Sequence, residues 1–124
     1  AEVLDDASWA VFQEGYKGGF GADGDHLKTA EEVKGALACG YTMITLDCSE
    51  HIDNNVDKMS SDEVDKVYEN FKQENVEEKY LGKEFQLGNG IIISFDKNDL
   101  KRIVLTYSEA INFASEIYHQ IIKN

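Results

Sequence analysis

The chain has 124 residues, enough for one domain with its own core and too few for two. Acids outnumber bases 24 to 12, for a formal net charge of −12. A field of that sign repels phosphate backbones and anionic lipid surfaces, so neither nucleic acid nor a membrane is expected as a partner.

Two cysteines, Cys39 and Cys48, with no CxxC spacing make no disulfide framework. Free thiols in a reducing cytoplasm are expected, with a Cys39–Cys48 bridge as the alternative. There is no basic and apolar leader at the first residues and no run of about 18 apolar residues, so a cytoplasmic location is expected. The first residue is Ala1 rather than Met, which suggests trimming or excision from something longer.

In chain order, residues 1–17 mix Val3, Leu4, Trp9, Val11 and Phe12 with acids and lack a clean period. A short helix around Trp9 to Phe12, capped by Asp5, Asp6 or Ser8, is the expectation. Gly15, Gly18, Gly19, Gly21 and Gly24 follow. Gly19-x-Gly21-x-x-Gly24 spells a phosphate-loop pattern, but no β-branched strand precedes it and the helix starts later. Close approach of two backbones, or of a ligand, is the better reading of these glycines.

Thr29-Ala-Glu-Glu32 is a capping box, and Val33, Ala36 and Leu37 behind it form a narrow apolar stripe. Gly40 supplies a left-handed stop. Tyr41 to Asp47 is a nearly continuous apolar run, the pattern of a strand covered on both faces. Helix and strand together complete one βα unit running into a parallel strand.

From Glu50 to Glu78 there are ten acids against three lysines. Ser60-Ser-Asp-Glu63 is a second capping box, and Val64, Val67, Tyr68 and Phe71 follow at helical spacing. The pattern predicts an amphipathic helix over 61–78 whose acidic outer face is solvated. Gly88-Asn89-Gly90 joins Glu84–Leu87 to Ile91–Phe95 as a β-hairpin. Asp96 or Asn98 then caps a helix to about residue 122, apolar at Leu100, Ile103, Val104, Tyr107, Ala110, Ile111, Ala114, Ile117, Tyr118 and Ile121. His119 on it is read as a surface residue.

Two clusters carry chemistry. In Asp23-x-Asp25-His26-x-Lys28, neutral His26 is a sound metal ligand. Asp23 or Asp25 can orient it, join it on the metal or act as a base. Lys28 can neutralise a substrate carboxylate or a developing enolate. The structural alternative is that Asp23 and Asp25 cap the turn before the helix while His26 packs locally. The second cluster, Asp47-Cys48-Ser49-Glu50-His51, again places a carboxylate and an imidazole after a strand. If the two strands are parallel neighbours, about 5 Å apart, the clusters meet at one edge of the sheet. Cys48 as a nucleophile with His51 as its base is disfavoured, because the charge of adjacent Asp47 raises a thiol pKa.

The string GADGDHLKT, the string DCSEHI and the later FxxxxGxxIxFD resemble segments of the tagaturonate epimerase family, metal-dependent bacterial enzymes that interconvert tagaturonate and fructuronate. The resemblance covers most of the chain, including the long terminal helix. It implies a β/α-barrel-like fold with a divalent metal cation and an acid/base pair at strand ends. His26 would be a metal ligand and Asp25 the proton acceptor, with Lys28, Glu50 and His51 lining the substrate or metal pocket. The assignments that follow are Asp25 and Glu50 as catalytic, His26 and His51 as metal ligands, and Asp23 and Lys28 as substrate-binding.

Family members are several times longer than this chain, and two or three parallel strands close no barrel. The expected fold is therefore α/β, a partial β/α-barrel-like unit with a long C-terminal helix and a small β-hairpin. As domains, residues 1–124 form one domain of a larger barrel, with 1–53 a site-bearing βαβ part and 54–124 a helical part with the hairpin. The expected function is part of an epimerase acting on a small-molecule sugar acid. The alternative is a non-catalytic fragment or assembly module whose helices form a dimer interface, and a homo-oligomer through the C-terminal helix is the expected form of association.

Overall fold

The computed structural model describes residues 2–71 and 75–122, the side chain of Ile122 excepted. The chain forms two compact units, residues 1–49 together with 112–124, and residues 50–111.

The first unit begins with α1 (Glu2–Glu14), longer than the short helix expected around Trp9. The Ser8 hydroxyl donates to the Leu4 carbonyl within the helix (2.8 Å) instead of capping it. β1 (Asp23–Leu27), α2 (Ala30–Ala38) and β2 (Met43–Leu46) follow. β1 and β2 pair in parallel, and α2 packs on both strands. The capping box at Thr29 and Glu32 is present. At the other end the Tyr41 N–H reaches the Ala36 carbonyl and the Gly40 N–H the Leu37 carbonyl, with Gly40 at φ +93°. This is a Schellman closure that turns the chain directly into β2.

Gly24 explains the close fit of helix on sheet. A Cβ there would lie 3.1 Å from Ile44 Cδ1 and 3.3 Å from Ala36 Cβ. Its role is backbone approach, as the sequence favoured. It lies inside β1, and α2 starts six residues later, so the glycine string forms no strand–loop–helix phosphate cradle.

The strand expected over 41–47 is shorter and is not covered on both faces. Ile44 and Leu46 are half-buried while Met43 and Thr45 are exposed. A doubly buried strand needs a layer on each face. Among the described residues of this unit, α2 covers one.

In the second unit α3 (Ser61–Asn70) carries the second capping box, and Val64 on its inner face is fully buried. The helix ends at Phe71 rather than continuing to 78. Asn75, in the left-handed region at φ +70°, starts a separate short helix, α4 (Val76–Tyr80), and residues 72–74 lie outside the described residues. The hairpin is present as β3 (Glu84–Gln86) against antiparallel β4 (Ile92–Ser94). Tyr80, Phe85 and Phe95 gather beneath it with ring centroids 5.8–6.2 Å apart.

α5 runs over Lys97–Ile117 and widens into a π-type turn over Tyr118–Ile122. The Asp96 carboxylate accepts from the Asp99 N–H (2.8 Å) and is its cap. His119 is exposed, as expected. Cys39 and Cys48 are free. Among the described residues no helix is long and apolar enough to cross a membrane.

Candidate functional site

The first cluster lies within β1 rather than after it, and the register shows why its side chains leave the sheet. Gly24 pairs with Ile44 and Leu27 with Leu46, so Asp25 and His26 together stand opposite the single residue Thr45. The extra residue makes a bulge, and His26 absorbs it at φ +53°. A non-glycine residue seldom adopts that conformation, and such strain gathers at functional sites. The outcome is an imidazole whose side chain is 73% exposed, held by backbone geometry rather than packed against neighbours. The alternative of a locally packed histidine is not what the structure contains.

Around His26 the charges converge. Asp25 Oδ1 lies 3.6 Å from Nε2, and Asp47 Oδ2 lies 3.9 Å from Nδ1. Lys28 Nζ lies 3.8 Å from the same Asp47 oxygen. The Asp47 N–H donates to the Leu27 carbonyl (2.8 Å), which extends the β1–β2 ladder by one residue and sets its carboxylate beside the end of β1. The Glu32 carboxylate accepts from the N–H groups of both Lys28 (2.7 Å) and Thr29 (3.0 Å). The cap of α2 thus fixes the backbone that carries the Lys28 ammonium.

Asp47 is the centre of this arrangement, and its side chain is 19% exposed. Hydrogen bonds from the Ser49 hydroxyl and N–H, followed by the charges of Lys28 and His26, hold its carboxyl below the ordinary aspartate range. It is therefore an anion at neutral pH, able to orient the Lys28 ammonium and the His26 ring. Cys48 moves the other way: burial first, then the Asp47 charge, push its thiol up. That supports the expectation that Cys48 is no activated nucleophile.

Asp23 faces a different need. The Thr45 hydroxyl donates to its Oδ2. Its Oδ1 is buried and has no hydrogen-bond partner among the described residues. A carboxylate oxygen in that state is a vacant acceptor, suited to a donor on a ligand or to a cation.

Asp23, Asp25, His26, Lys28 and Asp47 share the first unit. Glu50 and His51 belong to the second, in the short turn Ser49–His51 that enters it. There His51 Nδ1 lies 3.2 Å from Glu109 Oε1 on α5. Asp47, counted in the second cluster from sequence but given no role of its own, proves to be the carboxylate beside both His26 and Lys28, whereas the sequence does not single out Glu109 at all. Glu109 carries no local signal.

The donor chemistry fits a divalent cation in kind: an imidazole, nearby carboxylates and a buried carboxylate oxygen without a partner. It does not complete a site. Among the described residues no group of three or more His, Cys, Asp or Glu side chains is arranged to hold a metal.

The fold and this cluster define an α/β unit with an acid, an imidazole and an ammonium gathered at the carboxyl end of a parallel strand pair, where α/β enzymes place their chemistry. A family model for tagaturonate epimerase matches residues 1–124, and the chain belongs to that family. It is 41% identical over 99% of its length to the tagaturonate/fructuronate epimerase of Thermotoga maritima, of which it covers 25%. A glycerol-complexed crystal structure of fructuronate-tagaturonate epimerase UxaE from Cohnella laeviribosi matches 97% of the chain at 49% identity and a TM-score of 0.89. The native crystal structure of the same enzyme gives 50% identity and a TM-score of 0.86. The chain spans about a quarter of the length of each of these relatives.

Proposed function

We propose that the protein carrying this chain is a metal-dependent epimerase that interconverts tagaturonate and fructuronate, and that this chain supplies part of its active site. The observation that carries the reading is the bulged His26 with Asp25, Asp47 and Lys28 around it, in a chain whose relatives are named for that reaction. The remaining ligands and the opposing proton carrier belong to the rest of the enzyme, within the larger β/α barrel that the family resemblance implies.

In this reading His26, in the first unit, and His51, in the second, are each taken as a ligand to a divalent cation of the whole enzyme. Such an ion, when bound, supplies Lewis-acid polarisation of the keto and alkoxide oxygens of a uronate. Asp25 takes the proton in either a deprotonation or a retro-aldol route, and Glu50 is the second acid/base group. Asp23 accepts from a substrate hydroxyl through its vacant Oδ1. Lys28, steadied by Asp47, faces the substrate carboxylate or the developing negative charge.

The test is His26→Ala in the whole protein, scored by bound metal after dialysis and by turnover. Loss of both is expected; unchanged metal content sinks the assignment.

A second reading, an assembly module, draws on one observation. Ile103, Tyr107 and Ile111 recur at four-residue spacing on α5, are exposed, and line a cavity of about 750 Å³ between α4 and α5. If the chain is such a module, it self-associates as isolated and Ile111→Glu makes it monomeric. A monomer that is already stable removes this reading.

A further inference from the structure

We infer that Glu109 is a positioning residue that fixes the ring orientation and tautomer of His51. The inference rests on the reading of His51 as a working residue of the epimerase, and its direct test does not.

Arg102, Thr106 and Glu109 stand at i, i+4 and i+7, a single stripe of α5. Each member contacts the segment 51–59. The Arg102 guanidinium donates to the carbonyls of Val56 and Met59, at 2.8 Å each. The Thr106 carbonyl accepts from the Asp53 N–H (3.1 Å). Glu109 Oε1 lies 3.2 Å from His51 Nδ1. The segment is braced from within as well, since the Asp53 carboxylate accepts from the Asn55 N–H (3.0 Å) and side-chain amide (3.1 Å). Backbone anchors at two rungs thus set where the turn runs, and the third rung meets the imidazole.

A carboxylate that is ionised can only accept. The bond to Glu109 therefore requires the proton on Nδ1, which leaves Nε2 as the nitrogen with the lone pair. That is the form a metal ligand or proton acceptor needs. The side chain of His51 is 28% exposed and that of Glu109 77%. Removing the carboxylate therefore costs little in packing and leaves the turn held by Arg102 and Thr106.

The test uses the whole protein with ¹⁵N-labelled histidine at about pH 8, where an ordinary imidazole is neutral. His51→Gln identifies the His51 resonances. The Nδ1–H tautomer is expected in the parent protein and in Glu109→Gln, whose amide oxygen still accepts. Glu109→Ala should shift His51 towards the Nε2–H form that dominates in free imidazoles. An Nε2–H tautomer in the parent protein, or one unchanged in Glu109→Ala, overturns the inference. A Mn²⁺ titration of the same proteins carries the functional arm. Glu109→Ala should weaken binding by about 10–100-fold, with Glu109→Gln intermediate. If His51→Gln leaves Mn²⁺ binding unchanged while the tautomer still follows Glu109, the ligand reading of His51 fails and the positioning inference stands.

Discussion

The Asp47 carboxylate lies 3.8 Å from the Lys28 ammonium, although nineteen positions and a whole helix separate the two in sequence. Pairing of β1 with β2 brings them together, and the same Asp47 oxygen faces the His26 ring. One carboxylate thereby sets the position of two groups assigned to substrate and metal. In the whole enzyme Asp47→Asn should lower kcat/KM by about 10–100-fold, the range for lost outer partners of a ligating histidine. The loss should appear mainly in kcat and in metal affinity, because the amide still fills the space. Wild-type kinetics in the variant would leave Asp47 a purely structural anion.

Asp47→Asn also has a readout independent of turnover. Burial is the larger cause of the raised Cys48 thiol and the Asp47 charge the smaller. Removing the charge should move the pH profile of Cys48 alkylation down while leaving it above that of an exposed thiol. A Cys39→Ser background isolates Cys48, since Cys39 is exposed and reacts first. An unmoved profile would mean that burial alone sets the thiol.

Much of this architecture was legible because its signals are local. Thr29 with Glu32 and Ser60 with Glu63 close capping boxes within three residues. Gly88-Asn89-Gly90 turns the hairpin, and the apolar stripe of α5 announces itself over many turns. What escaped depends on distance or on backbone geometry. The strand holding Asp23 to Leu27 is polar and glycine-bearing, so its alternation is hidden, and its bulge exists only against β2. The end of α3 escaped because no glycine or proline follows the apolar spacing of Val64, Val67, Tyr68 and Phe71 to mark a stop. Glu109 finds its partner 58 positions away. No window of sequence contains both.

His26 at φ +53° separates backbone strain from chemistry. The left-handed conformation costs a residue with a Cβ about 1–2 kcal/mol, and glycine almost none. His26→Gly should therefore be more stable than His26→Ala by about 1 kcal/mol in urea unfolding, although both lose the imidazole. Equal stability would mean that the bulge relaxes once the side chain is gone.

The two capping boxes give the chain an acid limb. Backbone N–H groups of Lys28 and Thr29 hold the Glu32 carboxyl below its ordinary range, and the backbone and side chain of Ser60 do the same for Glu63. A carboxyl whose pKa is lower folded than unfolded stabilises the fold above the unfolded value. That contribution fades as pH falls through the folded one. Stability should therefore drop below about pH 4.5, and less steeply when Glu32 and Glu63 are both glutamine. Thr29→Ala and Ser60→Ala should each cost about 1 kcal/mol at neutral pH, as lost N-caps do. An acid limb unaltered in the double glutamine variant would assign it to other carboxylates.

Arg102 tests how the segment 51–59 is held. Its guanidinium donates to two carbonyls, those of Val56 and Met59, and Val56 itself is 1% exposed. Truncation to alanine leaves both acceptors without their charged donor in a half-buried setting, which costs about 1–3 kcal/mol. Lysine should not restore it, because one ammonium on a flexible stem cannot replace a planar fork that reaches two oxygens at once. The expected result is a lower urea midpoint for Arg102→Ala and for Arg102→Lys, with an unchanged slope. The tautomer of His51 should survive in Arg102→Lys if Glu109 acts on the ring directly, and should be lost with the turn if it does not. The same pair of measurements thus reads the stability of the turn and the independence of its third rung.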